Sequence, residues 1–264
     1  MTAIVELKNA TKVVKNGFDE EKIILNDVSL EIFEQDFITI LGGNGAGKST
    51  LFNTIAGTLS LTSGTIRILG EDVTKFSPEK RAKYLSRVFQ DPKMGTAPRM
   101  TVAENLALAN RRGQKRSLFK MSSKEELQQF EALLAPLGLG LEDRLHTEIG
   151  LLSGGQRQAI SLLMATMNAP KLLLLDEHTA ALDPETSNKI LEKTKEIIEK
   201  NNITSLMITH NMQDAITYGN RLIMLHAGEV IFDIKGEEKK KLTVEKLLEM
   251  FKTKDAKLSD KDIF

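Results

Sequence analysis

Nine consecutive residues, Gly42-Gly43-Asn44-Gly45-Ala46-Gly47-Lys48-Ser49-Thr50, have the types and the order needed to hold a polyphosphate. They follow an apolar run, Phe37-Ile38-Thr39-Ile40-Leu41, and precede a helical pattern through Leu51, Phe52, Ile55 and Ala56 that Gly57 closes. Strand, glycine loop and helix in that order are what the G-x-x-x-x-G-K-[ST] phosphate loop requires. Glycines let backbone N–H groups turn inward around phosphate oxygens, and the positive end of the helix adds to the attraction. Lys48 is placed to reach the β- and γ-phosphates, and the Ser49 hydroxyl to ligate Mg²⁺.

Three further places complete a chemistry. Leu172 to Leu175 is apolar on both faces and runs into Asp176-Glu177. Ligands of open α/β sheets sit beyond the carboxyl ends of strands, so these acids should face the phosphate loop. Asp176 suits the Mg²⁺ sphere and Glu177 suits a general base acting on a water that attacks the γ-phosphate. The apolar run Ile203 to Thr209 ends at His210, which reads as a phosphate contact at the same sheet edge. Finally, Leu152-Ser153-Gly154-Gly155-Gln156 opens a periodic helix. Ser153 is a natural N-cap, but capping needs only one such residue and two consecutive glycines weaken a first turn for no local gain, so a second anion cradle is the better reading. His146, His178 and His226 lack such a context and receive no chemistry.

The elements that position these residues are legible in outline. Before the phosphate loop, Ile4 to Leu7, Ile23 to Leu25 and Val28 to Ile32 read as antiparallel strands, with Asn16-Gly17 as a turn. A short strand, 65–69, a basic turn of helix at Pro78 and a buried strand from Leu85 to Phe89 follow, the last ending at Gln90. Residues 91–98 contain turn formers without periodicity and read as a loop. Thr101 with Glu104, and Ser122 with Glu125 or Ser123 with Glu126, are capping-box patterns ahead of two helices across 101–137. The basic stretch Arg111 to Arg116 between them reads as a solvated connection. After Pro184 comes a long charged helix, then two strands around Ala227-Gly228 as a hairpin. Glu237 to Lys241 reads as a solvated charge run before an amphipathic helix over 243–251. The fold class is therefore α/β: a phosphate-loop NTPase core, residues 1–90 and 157–236, with an antiparallel β subdomain at its start. Residues 91–156 form a helical insertion and residues 237–264 a helical tail.

Whole-chain properties narrow the classes. Among 264 residues, 36 Lys plus Arg balance 36 Asp plus Glu, which gives no support for nucleic-acid binding. With no cysteine, disulfides, thiolate metal sites and cysteine nucleophiles are excluded. The first residues carry no basic and apolar leader pattern, and no apolar run is long enough to span a bilayer. A membrane role must come through a partner.

Taken in order, residues 42–50, Gln90, Leu152–Gln156, Leu172–Glu177, Ala181–Asp183 and His210 resemble the motif set of ATP-binding cassette (ABC) ATPases. The resemblance runs from about residue 3 to 236. It implies the ABC ATPase fold, with ATP and Mg²⁺ as cofactors. It gives Gln90 the role of a loop glutamine that senses Mg²⁺ and the attacking water, places Asp183 at a subunit interface, and has His210 hold the γ-phosphate. It also implies a homodimer paired head to tail, each Ser153–Gln156 segment closing over the other subunit's ATP. One chain carrying two anion cradles and one lysine-bearing site points the same way.

Two departures stand out. The slot where the family places an adenine-stacking aromatic holds Val14, with Phe18 the nearest ring, and His178 stands where proline commonly follows the catalytic glutamate. The resemblance implies an ATP-hydrolysing subunit at the cytoplasmic face of the membrane, energising a separate permease. Among such subunits it looks most like those of importers that work with an extracytoplasmic solute-binding protein, with amino acids as the substrate class. The alternative is a soluble ABC ATPase acting on ribosomes or chromosomes.

Overall fold

A computed structural model of the chain describes residues 3–15, 20–112 and 123–259, with side chains as far as residue 253. In order come β1 (Ala3–Lys15), β2 (Glu21–Phe33), β3 (Phe37–Leu41), α1 (Lys48–Ala56), β4 (Ser63–Ile68), β5 (Glu71–Asp72), α2 (Pro78–Arg81), β6 (Leu85–Val88), α3 (Val102–Asn110) and α4 (Lys124–Leu134). Then follow α5 (Gly154–Thr166), β7 (Leu172–Asp176), α6 (Pro184–Asn201), β8 (Ser205–Ile208), α7 (Met212–Thr217), β9 (Arg221–His226), β10 (Glu229–Lys235), α8 (Gly236–Lys240) and α9 (Val244–Ser259). The chain divides into two compact units, Met1–Pro78 with Thr204–Phe264, and Glu79–Ile203.

In the first unit, β3 is buried at all five positions and is a central strand, parallel to β8 on one edge and to β9 on the other. A strand covered on both faces has no solvent side, hence the unbroken Phe-Ile-Thr-Ile-Leu. The one hydroxyl in it, Thr39, is satisfied by the carbonyls of Ala215 at 2.8 Å and Arg221 at 3.3 Å. β10 joins β9 antiparallel through the Ala227-Gly228 turn. A separate antiparallel sheet runs in the order β2, β1, β4, β5. Here β2 is one strand where two runs were expected, because Asp27 takes a left-handed φ of 51° and bulges the strand without ending it. The Asn16-Gly17 turn and Phe18 lie outside the described residues.

The second unit pairs β6 with β7 in parallel and packs α3, α4, α5 and α6 around a core that includes Val102, Leu106, Phe130, Leu134, Ile160 and Ile190. The expected box is complete at α3 and half-made at α4, where the Glu126 carboxylate goes to Asn110 and Arg111 instead. Thr101 Oγ1 accepts the Glu104 N–H while the Glu104 carboxylate takes the Thr101 N–H, and Ser123 Oγ accepts the Glu126 N–H. Residues 91–98 contain a 3₁₀ turn over Pro92–Gly95, capped by Asp91, which accepts the Lys93 N–H at 2.9 Å. Asn105, buried on α3, ties down the following loop by bonding both the N–H and the carbonyl of Ala97.

Two charge runs are less solvated than expected. Arg112 stays exposed but folds its guanidinium back onto Ser86 Oγ at 2.8 Å and the Leu85 carbonyl at 2.7 Å, and Arg111 pairs with Glu126 at 2.9 Å; residues 113–116 lie outside the described residues. In the run Glu237 to Lys241, one turn of α8 puts Lys239 inside, 3% exposed, where it donates to the carbonyls of Tyr218 and Gly219. Burial lowers its pKa to about 8, and the two carbonyls at the end of α7 replace the lost water.

Candidate active site

In the first unit, the phosphate loop leaves the end of β3 and enters α1 at Lys48. Gly47 caps the helix at φ 99°, a conformation that only glycine adopts readily, and a Cβ there would meet the Ile24 carbonyl at 2.7 Å. No side chain caps α1 and no acidic residue stands in its first turn, so its donor end is left for an anion. Gly43, Asn44 and Gly45 are exposed at the rim, and Ser49 is exposed on the first turn. Lys48 is 7% exposed and spans the loop, its ammonium donating to the carbonyls of Gly42 at 2.7 Å and Gly43 at 3.1 Å. Thr50 is half-buried and Ala46 buried, with the Ala46 N–H closing the loop on Gly43 at 3.2 Å.

The parallel register Ile40 to Ile208, continued by the Thr209 N–H on the Ile40 carbonyl at 3.2 Å, brings His210 to the same strand edge as the phosphate loop. Asn211 then caps α7 by accepting the N–H groups of Gln213 and Asp214, which fixes the residue after His210. Burial pushes the Asp214 carboxyl up, partly offset by the charge of His210. Val14 lies near the end of β1 opposite Lys22 and is 37% exposed.

The second unit assembles the acids and the second cradle. The register of β6 with β7, Val88 opposite Leu175, brings Gln90 to the strand edge where Asp176 and Glu177 emerge. Glu177 has φ 43°, left-handed for a residue with a side chain, a strain of about 1–3 kcal/mol that clusters at working sites. His178 follows it into the interior, 2% exposed, with its Nε2 against Thr194 Oγ1 on α6. The Asp176 carboxylate pairs with the Arg87 guanidinium from β6.

Ser153 caps α5 in a reciprocal box with Gln156, and Gln156 Nε2 also donates to the Leu139 carbonyl at 3.1 Å. Of the two glycines, Gly155 has a local reason: a Cβ there would come within 2.3 Å of Thr186 Cγ2 on α6. The expectation that the glycines bring no local gain is thus corrected at 155, where α5 and α6 pack too closely for a side chain. Gly154 has only an ordinary contact and opens on a cavity of about 380 Å³ lined by Gln90, Asp91, Lys93, Arg157 and His178. Asp183 caps α6 on the Thr186 N–H at 3.0 Å, and that N–H holds its carboxyl below the usual range.

Sequence reasoning missed Arg87, Asn105, Gln158 and the His178–Thr194 contact. Gln158 is buried and donates to the Phe89 carbonyl at 3.3 Å, tying the helix of the second cradle to the end of β6. A signal existed for Arg87: a charge inside the apolar run Leu85 to Phe89 has to find a partner.

The donor set also suits a divalent cation. Asp176 already takes a cation from within the chain, the Arg87 guanidinium, and Ser49 offers an exposed hydroxyl oxygen. Among the described residues no group of three or more His, Cys, Asp or Glu forms a metal cage. A carboxylate oxygen and a hydroxyl oxygen are each the hard kind of donor that Mg²⁺ accepts.

Comparison with known proteins shows the family. The family model described as ABC transporter matches residues 25–180. A tyrosine transport ATP-binding protein of Clostridioides difficile is 46% identical over 248 residues, covering 94% of this chain and 98% of its own length. A phosphonates import ATP-binding protein of Lactococcus lactis subsp. cremoris is 33% identical over 242 residues, covering 89% and 94%. A dimeric ATP-binding cassette solved in a post-hydrolysis state with ADP and Pi superposes with a TM-score of 0.74 at 32% identity, over 88% of this chain and 98% of that one.

Proposed function

This chain belongs to the ABC transporter family as an ATP-hydrolysing cassette subunit, and from that premise we propose that it drives import of an amino acid through a separate membrane permease. The observation that carries the hydrolytic reading is the end of β7, where an all-apolar strand delivers Asp176 and a backbone-strained Glu177 beside Gln90. Buried strands do not lead into paired acids without a charge to meet.

In this reading the N–H groups of residues 43–49 hold the ATP phosphates, and Lys48 leaves the carbonyls of Gly42 and Gly43 for the β- and γ-oxygens. Ser49 and Asp176, with Gln90, would hold Mg²⁺, which when bound neutralises charge on the β- and γ-phosphates. Glu177 orients and deprotonates the attacking water, and His210 holds the γ-phosphate. Ser153, Gly154, Gly155 and Gln156 act on a second subunit's nucleotide, and Asp183 lies at that interface. The pairing is head to tail. A dimeric cassette at 32% identity supports the second subunit, and the second cradle gives it a task.

The permease docks at the membrane's cytoplasmic face, and no helix among the described residues is long and apolar enough to cross a membrane itself. An extracytoplasmic binding protein supplies the solute. The tyrosine transport relative, at 46% identity, favours an aromatic amino acid. A soluble cassette acting on ribosomes or chromosomes gains nothing from relatives whose names are those of transport and import proteins.

Glu177→Gln is the direct test. It should bind ATP with Mg²⁺ as tightly as the parent, accumulate as an ATP-bound dimer in size-exclusion chromatography, and lose turnover by 100-fold or more, on the order of general-base contributions. Hydrolysis at the parental rate would remove Glu177 as the base.

A further inference from the structure

We propose that Arg87 is an internal counter-ion that Mg²⁺ must displace from Asp176, and that it therefore sets the Mg²⁺ concentration at which the site closes on ATP. The proposal rests on the reading of Asp176 as a metal ligand.

Arg87 is the charged residue of β6, between Ser86 and Val88, which are both buried. Its side chain is 12% exposed and that of Asp176 14%, so the two charges meet largely out of water. The guanidinium carbon also lies 4.8 Å from the centre of the Phe89 ring, which supports it from one side. An arginine cannot shed its charge at any ordinary pH. A cation arriving at Asp176 therefore cannot be accommodated by proton loss; the guanidinium has to give up carboxylate contact or share it. Either adjustment opposes metal binding, since a charge pair this sheltered is costly to break. The same contact does something useful before nucleotide arrives. Asp176 and Glu177 are adjacent acids, and the guanidinium neutralises one of them without a metal. Cation binding is thereby made to depend on the phosphates that bring Mg²⁺ with them.

A merely structural pair, clamping β6 to β7, would have a different signature. Its loss would lower stability and leave the metal dependence of ATP binding where it was. A positioning role, with Arg87 aiming Asp176 at the metal, would make its loss weaken the metal site.

The experiment measures labelled-ATP binding at a series of free Mg²⁺ concentrations, in a Glu177→Gln background so that nothing turns over. Arg87→Met keeps the length and can still pack on Phe89. It should lower the half-effective Mg²⁺ concentration by threefold or more while leaving ATP binding in EDTA unchanged. Arg87→Lys keeps the charge but not the planar fork, should shift in the same direction by less, and decides the matter if the Met variant does not fold. An unchanged or raised half-effective concentration in the variant that folds overturns the proposal. Asp176→Asn separates the two layers. It should raise the Mg²⁺ requirement and abolish the effect of Arg87→Met in the double mutant. If Asp176→Asn leaves the Mg²⁺ requirement unchanged, the metal-ligand reading fails and this proposal with it.

Discussion

His178 Nε2 lies 3.1 Å from Thr194 Oγ1, and that hydroxyl donates onward to the Ile190 carbonyl at 2.7 Å. The hydroxyl has one proton and spends it on the carbonyl, so the imidazole must be the donor and carries its hydrogen on Nε2. The turn that presents Glu177 is thus pinned to α6 by a neutral histidine in the slot where the family usually has proline.

The burial of His178 makes stability depend on pH in a defined sense. Burial lowers the His178 pKa from 6.5 to about 4. Between those values the unfolded chain takes up a proton that the native state refuses, so stability is full above pH 6.5 and falls as pH drops towards 4. The loss from this group is about 3 kcal/mol at most. His178→Gln, whose amide can still donate to Thr194, should unfold in urea with a smaller difference between pH 7 and pH 4.5 than the parent. Equal differences would remove His178 as the source.

Gly155 on α5 lies so close to Thr186 on α6 that a Cβ would come within 2.3 Å of Thr186 Cγ2. Gly155→Ala should cost about 1–3 kcal/mol by overpacking, seen as a lower Tm. Because the obstructing atom is Thr186 Cγ2, Thr186→Ser should restore the loss in the double variant. A double variant as unstable as the single one would place the demand for glycine elsewhere.

Ser153→Arg puts a large cation at the start of α5 without touching residues 42–50. ATP binding to the monomer should stay within twofold of the parent, while hydrolysis and ATP-dependent dimerisation disappear. Dimers forming at parental ATP concentrations would count against the composite site.

Val14→Tyr should tighten ATP binding by fivefold or more, since an aromatic ring stacked on a base contributes about 1–3 kcal/mol. It should also widen the preference for ATP over GTP, as measured by competition. Unchanged affinity would mean that the base does not lie over Val14.

Much of this molecule is legible in the order of its residues because the signals are local. A glycine loop needs only its own backbone freedom, and Thr101-x-x-Glu104 or Ser153-x-x-Gln156 closes a cap within one turn. An unbroken apolar run such as Leu172 to Leu175 declares a strand with two covered faces. Less legible were the charges that find distant partners within the chain. Arg87, Arg112 and Lys239 look like ordinary solvated cations until their partners, which lie 89, 26 or 27, and 20 or 21 positions away in sequence, are known.

The sequence by itself determined the residue pattern from which a chemistry is proposed: a G-x-x-x-x-G-K-S loop with Lys48 and Ser49, an acid pair at Asp176 and Glu177, a histidine after a buried strand, and a capped Ser-Gly-Gly-Gln helix start at Ser153. These depend on residue types at short spacing, and backbone geometry follows from them. Only the tertiary structure decided which groups offset which. It put a guanidinium on Asp176, gave Gly155 a packing role against Thr186, made His178 a buried neutral donor, and drew Lys239 inside. Each of these is a contact between distant segments, set by burial, and burial is a property of the packed chain that no short stretch of residues carries.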